Sequence, residues 1–289
     1  MLGREMMTRP FSIAHLTALN CTPAEIIHIA SRVGYDFVSL RPIYMGLPGE
    51  PNYDLANNKQ MMRDTKAALA DTGLRLLDIE LARIFDGMDP LNYLPAFEVA
   101  AELGGRHVLS SIWTDNRNDA IEKFGEVCDL AKQFDLTVEL EFVPIASVRT
   151  LADTLDILHS ANRSNAGIMI DTHHFHRSGD QLVDLQKIPS SYFRYFHLCD
   201  APSQAPTSVD EMKRILREER LYVGEGGIDI AGIVNSIPVN TPCSIEMPNI
   251  KRVKELGYEE YARRCLETAK EFLSIHATEE KSLRKKIGL

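Results

Sequence analysis

Short runs of apolar residues alternate with amphipathic segments about eight times along the chain. Most of the apolar runs are continuous rather than interrupted by polar residues, which is typical of parallel strands that are covered on both faces. The pattern predicts strands at residues 11–14, 37–41, 74–80, 107–113, 137–142, 166–171, 195–199 and 243–246.

The segments between the predicted strands carry apolar residues at helical spacing and have recognisable helix ends. Thr22, Pro23 and Glu25 supply an N-cap, a proline at the first helical position and an acid in the first turn, and Gly34 follows at the exit. Further helices are predicted at residues 61–72, 93–103, 118–134, 147–161, 209–216 and 259–275, with a short turn at 230–236.

These strand-then-helix units run without a break in composition, which predicts an α/β protein with a single (β/α)8 TIM barrel as its catalytic domain in residues 10–277. Residues 1–9 are expected to form a flexible leader, and residues 278–289 a basic, solvated tail. A doubly wound open sheet is the alternative. Such a sheet usually has a glycine-rich phosphate turn after its first strand, whereas Ala14-His15-Leu16-Thr17 follows here. We interpret the glycine-rich residues 224–227 as a loop.

Composition narrows the class of protein. The 289 residues are 44% hydrophobic and 25% charged, as in soluble globular enzymes, and the net charge of −9 argues against a nucleic-acid partner. The five cysteines are dispersed without a C-x-x-C pair, which indicates reduced thiols. The sequence offers no membrane-spanning run, and residues 1–10 lack the apolar segment of a signal peptide. A cytoplasmic location is therefore expected, with no membrane partner.

Four predicted strands end in a residue that can bind a divalent metal. Glu141, Asp171, His197 and Glu246 end strands five to eight, and in a (β/α)8 barrel the carboxyl ends of the strands line the active site. A single acid at a strand end is more often a helix cap or an ion-pair partner, but four in succession seldom arise by chance. Three carboxylates and an imidazole favour one Mn²⁺ ion, with Mg²⁺, Co²⁺ or Zn²⁺ as alternatives.

Other side chains near the predicted strand ends are candidates for binding a substrate. His15 follows strand one and could equally be structural. Arg41 and Glu80 end strands two and three, and could bind hydroxyl or carboxylate groups or pair with each other. Trp113 ends strand four and could stack on the apolar face of a sugar or simply pack.

Further polar residues lie close in sequence to Glu141 and Asp171. Arg177 is a candidate contact for an anionic group of the substrate. We expect Glu139 to point away from the face that carries Glu141, and do not count it. His173 and His176 are interpreted as loop residues.

Several short motifs, in this order and spacing, resemble those of the xylose isomerase-like barrels, the sugar phosphate isomerase/epimerase superfamily. The resemblance covers about residues 11–275. The motifs are Leu140-Glu141-Phe142-Val143-Pro144, Asp171-Thr172-His173-His174, His197-Leu198-Cys199-Asp200, Gly224-Glu225-Gly226-Gly227-Ile228-Asp229 and Glu246.

The resemblance implies that the four strand-end residues bind one metal ion and that Glu141 and Glu246 also form an acid–base pair. His174 would hydrogen-bond a substrate oxygen near the ion. The implied activity is the isomerisation or epimerisation of a sugar or keto-polyol, by removal of the proton next to a carbonyl through a metal-stabilised enediolate. The implied partner is a small molecule, and the implied assembly a homo-dimer or homo-tetramer.

Three alternatives stay open. A dehydratase (a lyase) would use the same enolate but expel a β-hydroxyl, from a cyclic keto-polyol or keto acid such as an inosose or 3-dehydroshikimate. A hydrolase similar to the apurinic-site endonucleases would need further histidines at strand ends, where only His15, His174 and His197 fall, and the acidic balance weakens DNA binding. A non-catalytic sugar-binding barrel is the last alternative, but the sequence retains both acid–base glutamates.

The sequence differs from that of the ketohexose 3-epimerases at one position that bears on the substrate. Ketohexose 3-epimerases carry an arginine six residues after the metal-binding histidine, and that position here is Ser203. An insertion at residues 201–220 replaces the short segment and is expected to form a lid. We therefore expect a polyol or keto acid other than a free ketohexose.

Overall fold

The computed structural model describes residues 9–47 and 49–276. Eight parallel strands form one sheet in the order β6-β5-β4-β3-β2-β1-β8-β7. The edges meet at a parallel bridge between Asp171 and His197, where the His197 amide donates to the Ile170 carbonyl at 2.9 Å. The strands are β1 Phe11–Ile13, β2 Phe37–Leu40, β3 Arg75–Ile84, β4 His107–Ile112, β5 Thr137–Glu141, β6 Ala166–Met169, β7 Phe196–Leu198 and β8 Cys243–Ile245. The predicted (β/α)8 barrel is confirmed, and the doubly wound sheet is wrong.

The helices surround this ring. The first begins with the predicted capping box, in which the Thr22 amide donates to the Glu25 carboxylate at 2.7 Å, and it ends at Gly34 with φ of 94°. The helices are α1 Pro23–Val33, α2 Lys59–Thr72, α3 Leu94–Glu102, α4 Arg117–Lys132, α5 Leu151–Ala161, α6 Thr172–Ser178, α7 Leu182–Leu185, α8 Val209–Glu218, α9 Ile230–Asn235, α10 Ile250–Leu256 and α11 Tyr258–His276. Short 3-10 helices cover His15–Ala18, Pro90–Tyr93 and Ser190–Tyr192.

Apolar side chains on the outer face of the strands pack against the helices, whereas many inward-facing side chains are polar and buried. Ser12 and Ser39 contact each other at 3.2 Å inside the barrel, and Ser39 donates to Asp78. Burial, followed by the nearby Glu80 carboxylate, raises the pKa of Asp78 to about 7. TIM barrels usually fill their interior with branched apolar residues, so these buried polar side chains depart from that pattern.

The orientation of Glu139 differs from the prediction. It lies on the same inward face as Glu141, because residues two apart on a strand share a face, so the predicted opposite orientation is wrong. Glu139 is fully buried and accepts a hydrogen bond from Thr137 at 2.6 Å. Burial raises its pKa to about 8. It lies below the mouth, deeper in the barrel than Glu141.

The third strand is longer than predicted. It continues to Ile84, and its register against β4 shifts between Ile79 and Ala82. Glu80 therefore lies within β3 at this irregularity, and not at the strand end. The extra residues bring Arg83 to the mouth.

The predicted tail and all of the predicted leader except Arg9 lie outside the described residues. The Arg9 guanidinium donates to the carbonyls of Val234, Ile237, Pro238 and Thr241 at 2.7–3.2 Å. Across the described ranges, no helix has the length and hydropathy needed to cross a bilayer.

Candidate metal centre

The fold brings the four predicted metal ligands to the same end of the barrel. Glu141 is the last residue of β5, and His197 lies in the middle of β7. Asp171 follows β6 and caps α6, accepting the His174 amide at 3.0 Å, while Glu246 directly follows β8. All four side chains are buried.

The imidazole of His197 lies at the centre of the acids. Its Nδ1 is 3.5 Å from Glu141 Oε1, 3.5 Å from Glu246 Oε2 and 3.9 Å from Asp171 Oδ2. Ligand bonds of about 2.0–2.4 Å place neighbouring donor atoms of one ion roughly 3–4 Å apart. The spacing around His197 therefore fits a shared divalent cation.

Buried atoms without partners support the same fit. Within the described residues, neither ring nitrogen of His197 nor Oε1 of Glu141 has a hydrogen-bond partner. Burial lowers the pKa of His197, but the carboxylates of Glu246 and Glu141 outweigh it and hold the pKa well above the usual range. Unpaired buried polar atoms are costly, and a divalent cation bound to a neutral imidazole and carboxylates would satisfy them.

The sequence analysis missed Arg220, which ends the insertion. Its side chain is fully buried, with Nη1 2.5 Å from Asp171 Oδ2 and Nη2 2.9 Å from Glu246 Oε2. Burial lowers the pKa of Arg220, but Asp171, Cys199 and Glu246 raise it well above its usual value. Arg220 therefore belongs to the site, and is not part of a solvent-facing lid.

Arg220 also changes the net charge of the candidate metal centre. The carboxylates of Glu141, Asp171 and Glu246 bring three negative charges to the site, and Arg220 offsets one of them. Two negative charges would then remain to match a divalent ion bound to a neutral His197. Ser203 takes no part in this pairing, and the cation that pairs with Asp171 and Glu246 is Arg220, at the far end of the insertion.

His174 lies beside the centre on α6, so His173 and His176 are also helical and not loop residues as predicted. The Nε2 atom of His174 is 3.9 Å from Glu141 Oε1. Its Nδ1 contacts His173 Nδ1 at 3.3 Å. This arrangement leaves His174 Nε2 facing the metal centre.

Arg41 and Glu80 pair with each other, one of the two alternatives considered for them. Arg41 Nη2 is 3.0 Å from Glu80 Oε2, and both side chains are buried. The other oxygen of Glu80 has no partner among the described residues. Glu80, His197 and Glu246 offer three donor atoms within 4.8 Å of one another, so Glu80 borders the metal centre.

The remaining candidates differ in what they leave free for a ligand. His15 uses both ring nitrogens, on the Cys21 carbonyl at 2.9 Å and the Arg41 amide at 3.0 Å, so its imidazole has no atom left for a substrate. Trp113 donates to Ser111 at 2.8 Å, and the Arg83 guanidinium stacks over its ring at 4.6 Å.

Arg177 is directed to the insertion and not to the metal centre. Its guanidinium donates to the carbonyls of Pro202 and Ser203 at 2.6 and 3.3 Å. It therefore anchors the start of the insertion.

A buried aspartate organises the loop that follows Arg220. Asp200 accepts hydrogen bonds from the amides of Ala201, Gly224, Gly226 and Ile228 at 2.8–3.3 Å. A Cβ on Gly226 would come within 2.3 Å of the Asp200 carboxylate, so only glycine allows this approach. The Gly-Glu-Gly-Gly segment thus wraps an internal carboxylate, which agrees with its interpretation as a loop.

The sequence model of the xylose isomerase-like TIM barrel family matches residues 27–271, and the chain belongs to that family. An inosose isomerase from Bacillus licheniformis is 28% identical over 165 residues, which cover 55% of this chain and 57% of the relative. The chain spans about half the length of the curated relatives it matches.

Solved structures share the fold over almost the whole chain. The IolI protein with a bound zinc atom superposes with a TM-score of 0.78 at 19% identity, covering 93% of this chain and 100% of that chain. A probable 3-DHS dehydratase from Bacillus anthracis superposes with a TM-score of 0.67 at 16% identity, covering 92% of this chain and 98% of that chain. At such identities the likeness shows the fold alone.

Proposed function

We propose that this protein is a divalent-metal-dependent isomerase or epimerase of a small polyhydroxy ketone. Glu141, Asp171, His197 and Glu246 would hold one ion, with Mn²⁺ as the first expectation. The observation that carries the proposal is the convergence of these buried groups at one end of the barrel, where atoms of His197 and Glu141 have no hydrogen-bond partner among the described residues. A homo-oligomer, dimer or tetramer, remains our expectation.

The reaction would proceed by transfer of a proton next to the carbonyl. The ion, when bound, would polarise the carbonyl and stabilise the negative charge that develops on its oxygen. Glu141 and Glu246 approach His197 from β5 and β8, so one carboxylate could remove the proton and the other return it to a different carbon or face. His174 Nε2 would donate to a substrate oxygen beside Glu141.

The comparisons support this class of reaction. The relatives named inosose isomerase suggest a cyclic keto-polyol as one substrate type for this chain, and the zinc atom of the IolI structure supports a divalent ion. Charge balance adds an independent reason for a divalent ion, because Arg220 offsets one of three carboxylates.

A dehydratase is the second candidate. The specific observation in its favour is the structural likeness to a probable 3-DHS dehydratase. The first step would be the same removal of a proton, followed by loss of a β-hydroxyl as water. The two reactions need the same carboxylates, so the geometry of Glu141 and Glu246 does not separate them.

Incubation of the Mn²⁺-loaded protein with an inosose and with 3-dehydroshikimate in D₂O separates these reactions. Isomerisation predicts uptake of solvent deuterium with the mass otherwise unchanged. Dehydration predicts loss of water, with a new enone absorbance from the inosose and the absorbance of an aromatic product from 3-dehydroshikimate. Retention of every substrate proton, with no product from either compound, would count against both.

The matched variants are Glu141→Gln and Glu139→Gln. Both replace a buried glutamate on the inward face of β5, but only Glu141 reaches the metal centre. We expect turnover to be lost in Glu141→Gln with the fold intact by circular dichroism, and to persist in Glu139→Gln. Equal turnover in wild type and Glu141→Gln would remove the proposed role of Glu141.

A further inference from the structure

Two adjacent histidines at the start of α6 contact each other beside the metal centre. His173 and His174 are both buried, with their rings inclined at 71° and their Nδ1 atoms 3.3 Å apart. The helix holds them there, because the Asp171 carboxylate caps α6 by accepting the His174 amide at 3.0 Å. Two ring nitrogens at this distance share one proton, so one imidazole donates and the other accepts.

The imidazole of His173 has a single proton to place. Its side chain is fully buried, which disfavours the charged form of the ring. Its Nε2 has no hydrogen-bond partner among the described residues. A charged ring would therefore leave a buried N–H unpaired at that atom, at a cost comparable to a lost hydrogen bond. The one proton lies on either Nδ1 or Nε2.

The groups beyond the other nitrogen of each ring decide which histidine donates. If His173 donates, the proton of His174 lies on Nε2 and faces Oε1 of Glu141, an unpartnered buried atom 3.9 Å away. In the reverse arrangement, a neutral His174 directs a lone pair at that carboxylate, and His173 has an N–H on Nε2 without an acceptor in the described part of the chain. The first arrangement is the more favourable, because it directs a partial positive charge at a carboxylate.

A metal ion between the two histidines is the competing explanation of this contact. Asp171, His173 and His174 each offer one donor atom within 4.8 Å of the others. Asp171 already accepts the His174 amide and pairs with the Arg220 guanidinium at 2.5 Å, and it is one of the proposed ligands of the first ion. A second ion would compete with all of these for one carboxylate. A hydrogen bond between the rings needs no such ion.

We propose that His173 is a positioning residue, whose Nδ1–H fixes His174 as the tautomer with its proton on Nε2. The hydrogen bond made by one ring nitrogen determines which form the other takes. The catalytic consequence rests on the proposed function: His174 then presents an N–H, and not a lone pair, to the substrate oxygen beside Glu141. His173 acts only through His174.

Nuclear magnetic resonance of the full chain with ¹⁵N-labelled histidine tests the tautomer directly. Mg²⁺ replaces Mn²⁺ in this experiment, because Mn²⁺ is paramagnetic and broadens nearby signals. A protonated and an unprotonated ring nitrogen have well-separated ¹⁵N shifts, and the His174 signals are identified by their loss in His174→Gln. We expect the proton of His174 on Nε2 in the wild type. An unprotonated Nε2 would overturn the proposal.

Two replacements of His173 separate the hydrogen bond from packing. His173→Phe keeps an aromatic ring but removes the donor, whereas His173→Asn loses the ring but retains an N–H close to the position of Nδ1. His176→Phe is the matched control. His176 also lies on α6, but its Nε2 contacts the Ser203 carbonyl at 3.3 Å and not His174.

We expect His173→Phe to move the His174 shifts towards the average of the two tautomers, and to lower kcat/KM about twofold to tenfold, the range for one neutral hydrogen bond. His173→Asn should return both towards the wild-type values, and His176→Phe should change neither. A role in packing alone predicts the opposite order, because Asn leaves a cavity that Phe fills.

The proposal would also be overturned by unchanged His174 shifts in His173→Phe, by equal losses in His173→Phe and His173→Asn, or by a second Mn²⁺ ion in calorimetry that both variants lose. Failure of the proposed function is a separate result, seen as absence of Mn²⁺ binding or of deuterium exchange into a polyhydroxy ketone. The shifts report the tautomer of His174 even in an inactive protein, so the two failures are distinguishable.

Discussion

The two halves of the barrel mouth handle charge in different ways. On the β5–β8 half, three buried carboxylates surround His197, and Arg220 forms ion pairs with two of them, Asp171 and Glu246. On the β1–β4 half, the buried side chains of Arg41 and Glu80 pair with each other at 3.0 Å. The first half has an excess of negative charge, whereas the buried pair of the second is neutral by itself.

Under the proposed function, this difference decides where a metal cation binds. The buried carboxylates of the β5–β8 half keep an excess of negative charge, which a bound divalent cation would offset, and that cation would also activate a carbonyl. In the β1–β4 half, Arg41 and Glu80 already offset each other.

The largest expected effect is loss of turnover on the β5–β8 half. Chelation of the metal should abolish turnover, and Mn²⁺ should restore it. Glu246→Gln should lower kcat by about 10²–10⁴-fold, the usual contribution of an acid–base group. Glu225→Gln is the control, since Glu225 pairs with Arg252 at 2.8 Å on the adjacent loop. Similar kcat values for the two variants would argue against a catalytic carboxylate at Glu246.

Replacing Arg41, one partner of the Arg41–Glu80 pair, tests whether the β1–β4 half is neutral by itself. Arg41→Met leaves Glu80 buried without its cation, and should lower the free energy of unfolding by about 3–5 kcal/mol. The loss should be the same with and without Mn²⁺ in urea unfolding. The double variant Arg41→Met/Glu80→Gln should recover most of it, and a double variant as unstable as the single one would contradict the pairing.

The stability loss on replacing Arg220 should depend on the metal, because a bound cation can offset the negative charges of its partners. Arg220→Gln should cost about 3–5 kcal/mol in metal-free protein, where Asp171 and Glu246 lose their guanidinium partner. Saturating Mn²⁺ should restore much of that stability through binding to the folded state. A deficit of the same size with and without Mn²⁺ would remove the distinction between the halves.

The smallest expected effect concerns the loops. Asp200→Asn keeps the shape of a side chain that accepts four amides, but removes its charge and one acceptor, and should cost about 2–3 kcal/mol. Asp54→Asn on the β1–β4 half alters a partly exposed cap on Asn57 and should cost less than about 1 kcal/mol. Equal losses in thermal or urea unfolding would show that the two loops do not differ in this respect.

The barrel could be predicted because its evidence is local. Each strand is a continuous apolar run, and each helix has its own periodicity and ends, so the pattern survives small errors at the boundaries. Grouping of Glu141, Asp171, His197 and Glu246 then follows from topology, since the carboxyl ends of neighbouring parallel strands meet at one end of the barrel.

Other features were missed for identifiable reasons. The irregularity in β3 extends that strand beyond Glu80, so Arg83 was not recognised at the mouth. Glu139 was assigned to the wrong face although strand periodicity places it with Glu141. Arg220 lies at the end of a long insertion, and its distance along the chain from His197 hides its proximity to Asp171 in space.

Periodicity and the order of polar residues were sufficient to specify the eight-stranded barrel and the residues at its functional end. The tertiary structure alone decided which charges are paired and which are left over. Local sequence preferences govern backbone conformation residue by residue, whereas the energy of a buried charge depends on every group within a few ångströms of it. Those groups come here from β2, β3, the insertion and β8, which meet only when the barrel closes.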